Sequence, residues 1–167
     1  MGIKVIGVPT DFGANRRGVD MGASAIRYAD LLAELRQLEL EIEDLGSLNI
    51  SVIRDKIAEE DFVESIMDIC RQLAERVSQI AQQGDLPLIL GGDHSIAIGN
   101  LAGMSRLKEM GIIWFDAHGD FNNFQTSPTG NIHGMALAAI VGQGEEQLSN
   151  CCQFAPKVNP ERAVVVG

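Results

Sequence analysis

The chain has 167 residues, enough for one domain with a sizeable core. Its content of 46% hydrophobic and 22% charged residues is that of an ordinary globular protein. Lys and Arg number 13 against 23 Asp and Glu, a net charge of −10 with no basic cluster, which argues against nucleic acid or an anionic membrane surface as partner.

Ile3–Val8 is a short apolar run and predicts a buried opening strand. No basic-then-apolar leader precedes it, since Met1-Gly2-Ile3-Lys4 runs straight into the strand. Residues 9–22 mix glycines with charges and predict a long loop over a strand end. Residues 24–40 predict a helix, with Ile26, Ala29, Leu32 and Leu35 at helical spacing. Residues 41–45 form a weaker strand candidate that ends at Gly46.

A long helix is expected from about residue 60 to 83. Val63, Ile66, Cys70, Leu73, Val77 and Ile80 recur every three or four positions, Glu59-Glu60-Asp61 put negative charge on the first turn, and Gly84 stops it. A strand over 86–90, a helix over 96–109 and a strand over Ile112–Phe115 follow. Residues 135–141 predict a short helix, and Ala163–Val166 a further buried strand. Strands alternating with helices imply βαβ units and a mainly parallel sheet. The longest apolar stretches fall short of a membrane span. The three cysteines, Cys70 and the adjacent Cys151-Cys152, form neither a disulfide framework nor a thiolate metal site, and the chain reads as cytoplasmic.

The chemistry concentrates at what are expected to be two adjacent strand ends. Asp116-Ala117-His118-Gly119-Asp120 follows the strand Ile112–Phe115, and Gly91-Gly92-Asp93-His94-Ser95 follows the strand over 86–90. In open α/β sheets ligands bind at the carboxyl ends of the strands. If the backbone stays extended, side chains two apart face the same way, so Asp116, His118 and Asp120 could converge. Two imidazoles and two carboxylates suit a divalent metal, and His94, Asp116, His118 and Asp120 are the candidate ligands. Asp93 is expected instead to hydrogen-bond backbone or a neighbouring partner, because it and His94 are consecutive and point apart. A third cluster, residues 127–134, supplies Ser127, Thr129, Asn131 and His133. On spacing alone it is equally well a solvated surface loop, while His133 has the pKa range of an acid/base.

Gly91-Gly92-Asp93-His94-Ser95, Trp114-Phe115-Asp116-Ala117-His118-Gly119-Asp120-Phe121-Asn122 and Thr129-Gly130-Asn131-Ile132-His133-Gly134 resemble the successive motifs of the ureohydrolase superfamily. Ile6-Gly7-Val8-Pro9 and Arg16-Arg17-Gly18-Val19-Asp20-Met21-Gly22 are similar to its bacterial arginase branch. The likeness spans nearly the whole chain in the expected order. It implies a three-layer αβα fold with a mainly parallel sheet, and a binuclear manganese enzyme that splits L-arginine into L-ornithine and urea. By the resemblance, His94 would bind one Mn²⁺ and His118 the other, Asp116 would bridge them, and Asp120 would join His94. Asn122, Ser127 and Thr129 match positions that hold the substrate α-carboxylate, with Asn131 in the same loop, and His133 matches the acid/base histidine. The metal pair would supply hydroxide near neutral pH to attack the guanidinium carbon. A homo-oligomer is expected of the full-length protein.

Ureohydrolases also carry a second Asp-x-Asp pair on a later strand and a substrate-binding glutamate near the carboxyl end. Neither has a match in these residues, and the chain stops at Gly167 directly after an apolar strand. The expectation is a single arginase-like domain over 1–167, incomplete at its carboxyl end and truncated after the fifth strand, with at best trace activity alone. The rival enzyme is agmatinase or another guanidino-ureohydrolase, whose substrate lacks the α-carboxylate. The rival of another class is a non-catalytic truncated homologue or assembly partner.

Overall fold

A computed structural model describes residues 1–50 and 62–167. Among these residues five strands and six α-helices alternate: β1 Ile3–Val8, α1 Gly22–Tyr28, α2 Leu31–Arg36, β2 Ile42–Ser47, α3 Phe62–Gln82, β3 Leu86–Gly91, α4 Ile96–Ser105, β4 Ile112–Phe115, α5 Ala136–Ile140, α6 Glu146–Ser149 and β5 Ala163–Val166. Every strand pairing is parallel, in the orders β2-β1-β3 and β4-β5. The alternation of β1 sorts the layers. Ile6 and Val8 enter the large core with Ile66, Leu73, Val77 and Ile98 of α3 and α4, while Val5 packs on the other side with Ala23, Leu31 and Leu32 of α1 and α2. Helices on both faces of a parallel sheet make the three-layer αβα arrangement that the motif pattern predicts.

α3 carries the predicted face: Ile66, Cys70, Leu73, Val77 and Ile80 are all buried. Its expected start at residue 60 and the acidic turn Glu59-Glu60-Asp61 lie outside the described residues. The predicted helix over 24–40 is two helices. Asp30 takes φ 59°, which breaks the first, and its carbonyl accepts from Ala33 and Glu34 to start the second. That kink breaks the predicted face: Ile26 and Ala29 are exposed, whereas Leu32 packs as expected, with Leu31 beside it. α4 is shorter than expected and ends at Ser105, whose hydroxyl donates to the Leu101 carbonyl. A 3₁₀ turn, Ile132–Met135, precedes α5. Cys151 and Cys152 sit in the core. Among the described residues, no helix is long and apolar enough to cross a membrane.

Two sequence expectations about the strands need correction. β4 and β5 are not buried on both faces: Trp114 points into the core, but Ile113 and Phe115 are 65% and 75% exposed and Val164 to Val166 are exposed too. Among the described residues, no helix covers that face. β3 and β4 also belong to different ladders, since β3 pairs with β1 and β4 with β5. Their carboxyl ends converge nonetheless, through the loops that leave them.

The α3–α4 contact depends on small residues. A Cβ at Gly99 would stand 2.6 Å from the Cys70 carbonyl oxygen and 2.7 Å from its Cα, both backbone atoms that cannot give way. Helix propensity favours Ala over Gly by about 1 kcal/mol, but forcing apart two packed helices costs about 1–3 kcal/mol. Gly99→Ala is therefore expected to be net destabilising, read as a lower urea midpoint with unchanged slope. A higher midpoint would show that the helices are not in contact there.

Candidate functional site

β3 ends at Gly91, and three residues later the His94 ring stacks on Trp114 of β4, with centroids 4.1 Å apart and planes 21° from parallel. Nothing in the residue spacing announces this contact; an aromatic side chain at the core-facing position before Asp116 is its one sequence trace. The stack aims His94 Nδ1 at two carboxylates, 2.9 Å from Asp120 Oδ2 and 3.0 Å from Asp116 Oδ2. The other Asp116 oxygen, Oδ1, lies 3.1 Å from His118 Nδ1 and accepts the His118 backbone N–H at 2.9 Å.

Asp116 is fixed from behind, its own N–H donating to the Val166 carbonyl of β5. The convergence is not produced by an extended backbone, because Ala117 and His118 form a bend and Asp120 takes φ 45°. That left-handed turn swings Asp120 towards His94 and leaves its carbonyl to accept from Leu137 and Ala138, at the amino end of α5.

His94, Asp116 and Asp120 each offer an atom within 4.8 Å of the others, which makes them a candidate set for one ion. Ligands at about 2.1 Å from an octahedral ion stand roughly 3 Å apart when adjacent, which is the separation of His94 Nδ1 from both carboxylates. His118 stands outside that set and is 81% exposed at its side chain. It faces the second oxygen of Asp116, as a ligand to a second ion would. The donors are imidazole and carboxylate without thiolate, a set suited to manganese or another divalent first-row metal.

The electrostatics agree with a cation site. The Asp120 hydrogen bond, opposed by burial and helped by the charges of Asp120 and Asp116, raises His94 above its ordinary 6.5. The His118 backbone N–H, opposed by burial and assisted by both imidazoles, lowers Asp116 below the usual carboxylate range. In the metal-free protein, protonated His94 stabilises the fold below its ordinary pKa, and that contribution is lost as pH rises through the raised value. Metal and proton compete for the same nitrogen. Mn²⁺ affinity is expected to climb with pH up to that raised value, with proton release on binding. Calorimetry in buffers of different ionisation enthalpy measures this, and a pH-independent affinity would exclude His94 as a ligand.

A cleft of about 480 Å³ is lined by His94, Asp116, His118, Asp120 and all five residues assigned to substrate and catalysis, Asn122, Ser127, Thr129, Asn131 and His133. The loop over 127–134 is thus part of the site and not a detached surface loop. Its polar groups are set by local bonds. Ser127 Oγ accepts from Gly130 N–H, Thr129 Oγ1 from Asn131 N–H, and Asn122 Oδ1 from the Thr126 hydroxyl. Those bonds occupy acceptor positions and leave two hydroxyl protons and one amide NH₂ to donate, which is what a bound carboxylate needs. His133 N–H donates to the Gly13 carbonyl at 3.1 Å, and Asn122 N–H to the Gly134 carbonyl at 3.2 Å. Asp93 lies buried behind the cleft and bonds the backbone, as expected.

The chain is similar to known proteins over its full length. A family model described as the Arginase family matches residues 1–165. The arginase of Bacillus subtilis (strain 168) is 47% identical over 169 residues, covering 99% of this chain and 56% of that protein. A crystal structure of the Bacillus subtilis enzyme superposes with a TM-score of 0.91 at 49% identity, over 100% of this chain and 57% of that one. The Bacillus caldovelox arginase structure gives 0.91 at 46% identity, over 98% and 56%. A hypothetical agmatinase from Burkholderia thailandensis, at 24% identity and a TM-score of 0.69, shares the fold alone. The chain spans just over half the length of these arginases. With its motifs, its parallel αβα fold and this match in hand, the chain belongs to the arginase family.

Proposed function

We propose that this site serves the manganese-dependent hydrolysis of L-arginine to L-ornithine and urea. The observation that carries the reading is the placement of Asp116, whose two oxygens face two different histidines on the floor of one cleft. His94, Asp116 and Asp120 would hold one Mn²⁺, and Asp116 and His118 would contribute to the second. When bound, such a metal pair supplies hydroxide near neutral pH, a nucleophile strong enough for the resonance-stabilised guanidinium carbon, which is a poor electrophile.

The remaining work falls to the chain. A guanidinium stays cationic at any working pH, and the acidic floor of the cleft attracts it. Asn122, Ser127 and Thr129, with Asn131 beside them, donate hydrogen bonds to the α-carboxylate and so set which end of the substrate faces the floor. His133 delivers a proton to the departing amine, so that ornithine leaves with a charged side chain as urea is released. The reading includes a cytoplasmic setting and assembly into a homo-oligomer.

Competition between arginine and agmatine tests the substrate. A site built to hydrogen-bond a group discriminates strongly against an analogue that lacks it, so arginine is expected to be consumed at least about 100-fold faster than agmatine when Mn²⁺ is present. Equal or faster urea release from agmatine would overturn the assignment of the carboxylate donors.

A further inference from the structure

We propose that Asp93 is a positioning residue that holds His133 at the cleft by way of Gly13. Asp93 is 5% exposed and does not line the cleft, so it touches neither metal nor substrate there. Its Oδ2 accepts the Gly13 N–H at 2.9 Å, and the Gly13 carbonyl accepts the His133 N–H at 3.1 Å. A continuous hydrogen-bonded path therefore runs from the buried carboxylate, through one residue of the β1 loop, to the backbone of the acid/base candidate.

The anchor itself is immobilised. Asp93 Oδ1 accepts the Ser95 N–H at 2.9 Å and the Ser95 hydroxyl at 2.5 Å, and the Asp93 N–H donates to the Thr10 carbonyl at 3.0 Å. Both oxygens are thus committed as acceptors, to three donors in all. Asparagine cannot replace it, because the two Ser95 donors claim its one amide oxygen and leave the NH₂ group opposing the Gly13 N–H. Gly13 is equally constrained: a Cβ there would stand 2.5 Å from Asp93 Oδ1 and 3.1 Å from Ser95 Oγ. Only a residue without a side chain lets the carboxylate approach this closely.

The arrangement couples two parts of the site. Consecutive residues leave β3 in opposite directions, His94 towards the carboxylate cluster and Asp93 inwards to the β1 loop, whose Gly13 carbonyl accepts the His133 N–H. On the far side, Asn122 N–H holds the Gly134 carbonyl, so the His133 turn is tied from both flanks. Cluster and acid/base group are held in one register without sharing a side chain.

The catalytic meaning of the tie rests on the acid/base role proposed above for His133, but its existence does not. Amide hydrogen exchange on the whole chain reads it directly. A hydrogen bond to a charged acceptor is roughly twice as strong as one between neutral groups. Asp93→Asn is therefore expected to speed exchange at Gly13 and His133 at least about tenfold relative to the core amides of α3, which report global opening. Ser95→Ala removes a different donor from the same carboxylate and is expected to leave His133 protection, so normalised, unchanged.

If Asp93→Asn does not fold, Gly13→Ala serves instead, since its added Cβ must separate Gly13 from Asp93, with the same selective loss expected. Unchanged normalised protection at His133 in the folded variant, or an equal loss in Ser95→Ala, overturns the proposal. Selective loss in a protein that proves inactive on arginine supports the tie and counts against the enzymatic reading alone.

Discussion

Asp116→Ala is expected to weaken Mn²⁺ binding by more than about 100-fold and to leave no second ion. Removing an outer partner of a ligand already costs about 10–100-fold in metal affinity, and Asp116 is the shared group of the site. His94 Nδ1 lies 3.0 Å from one of its oxygens and His118 Nδ1 lies 3.1 Å from the other. Without it the two histidines have no common carboxylate, and His94 keeps only Asp120. His118→Ala should behave differently, sparing the His94–Asp116–Asp120 set and lowering only the stoichiometry. Titration followed by electron paramagnetic resonance of unbound Mn²⁺ separates these results. Affinity in Asp116→Ala or in a His94→Ala, His118→Ala double variant equal to that of the unsubstituted chain would remove the metal site from this strand end.

His133→Ala is expected to lower turnover by about 10²–10⁴-fold, the usual contribution of a general acid or base, with metal content unchanged. The side chain lines the same cleft as the carboxylate cluster, yet it is not among the residues that converge there as ligands. A group that moves a proton should be separable from groups that hold a metal. The measurement suits a chimera joining this chain to the remaining portion of the Bacillus subtilis arginase, assayed for urea alongside metal analysis. Loss of metal together with turnover would place His133 in the ligand set. Unchanged turnover would assign the proton to another group.

The parallel αβα fold was legible because it rests on local patterns. Ile3–Val8, Ile112–Phe115 and Ala163–Val166 are apolar runs of strand length, and α3 buries the stripe that its periodicity marks. The failures have local causes of another kind. Asp30 adopts a left-handed conformation that helical spacing does not reveal, and it splits one expected helix into two. The exposed sides of Ile113, Phe115 and Val164 depend on what packs against a strand, which its own composition does not specify.

At the site, residue type and order singled out His94, Asp116, His118 and Asp120 as candidate ligands, since imidazole and carboxylate donors grouped at strand ends suit a divalent cation. The sequence alone pointed to that chemistry, and its motif order to the ureohydrolases. Only the tertiary structure decided how the groups meet. β3 and β4 are not paired, so the contact between His94 and Asp116 arises from loops, from the stack on Trp114 and from the positive φ of Asp120. The same holds for the path from Asp93 to His133, which crosses 80 residues at its first bond. Hydrogen bonds between distant segments follow from how whole elements pack, and no spacing along one chain encodes them.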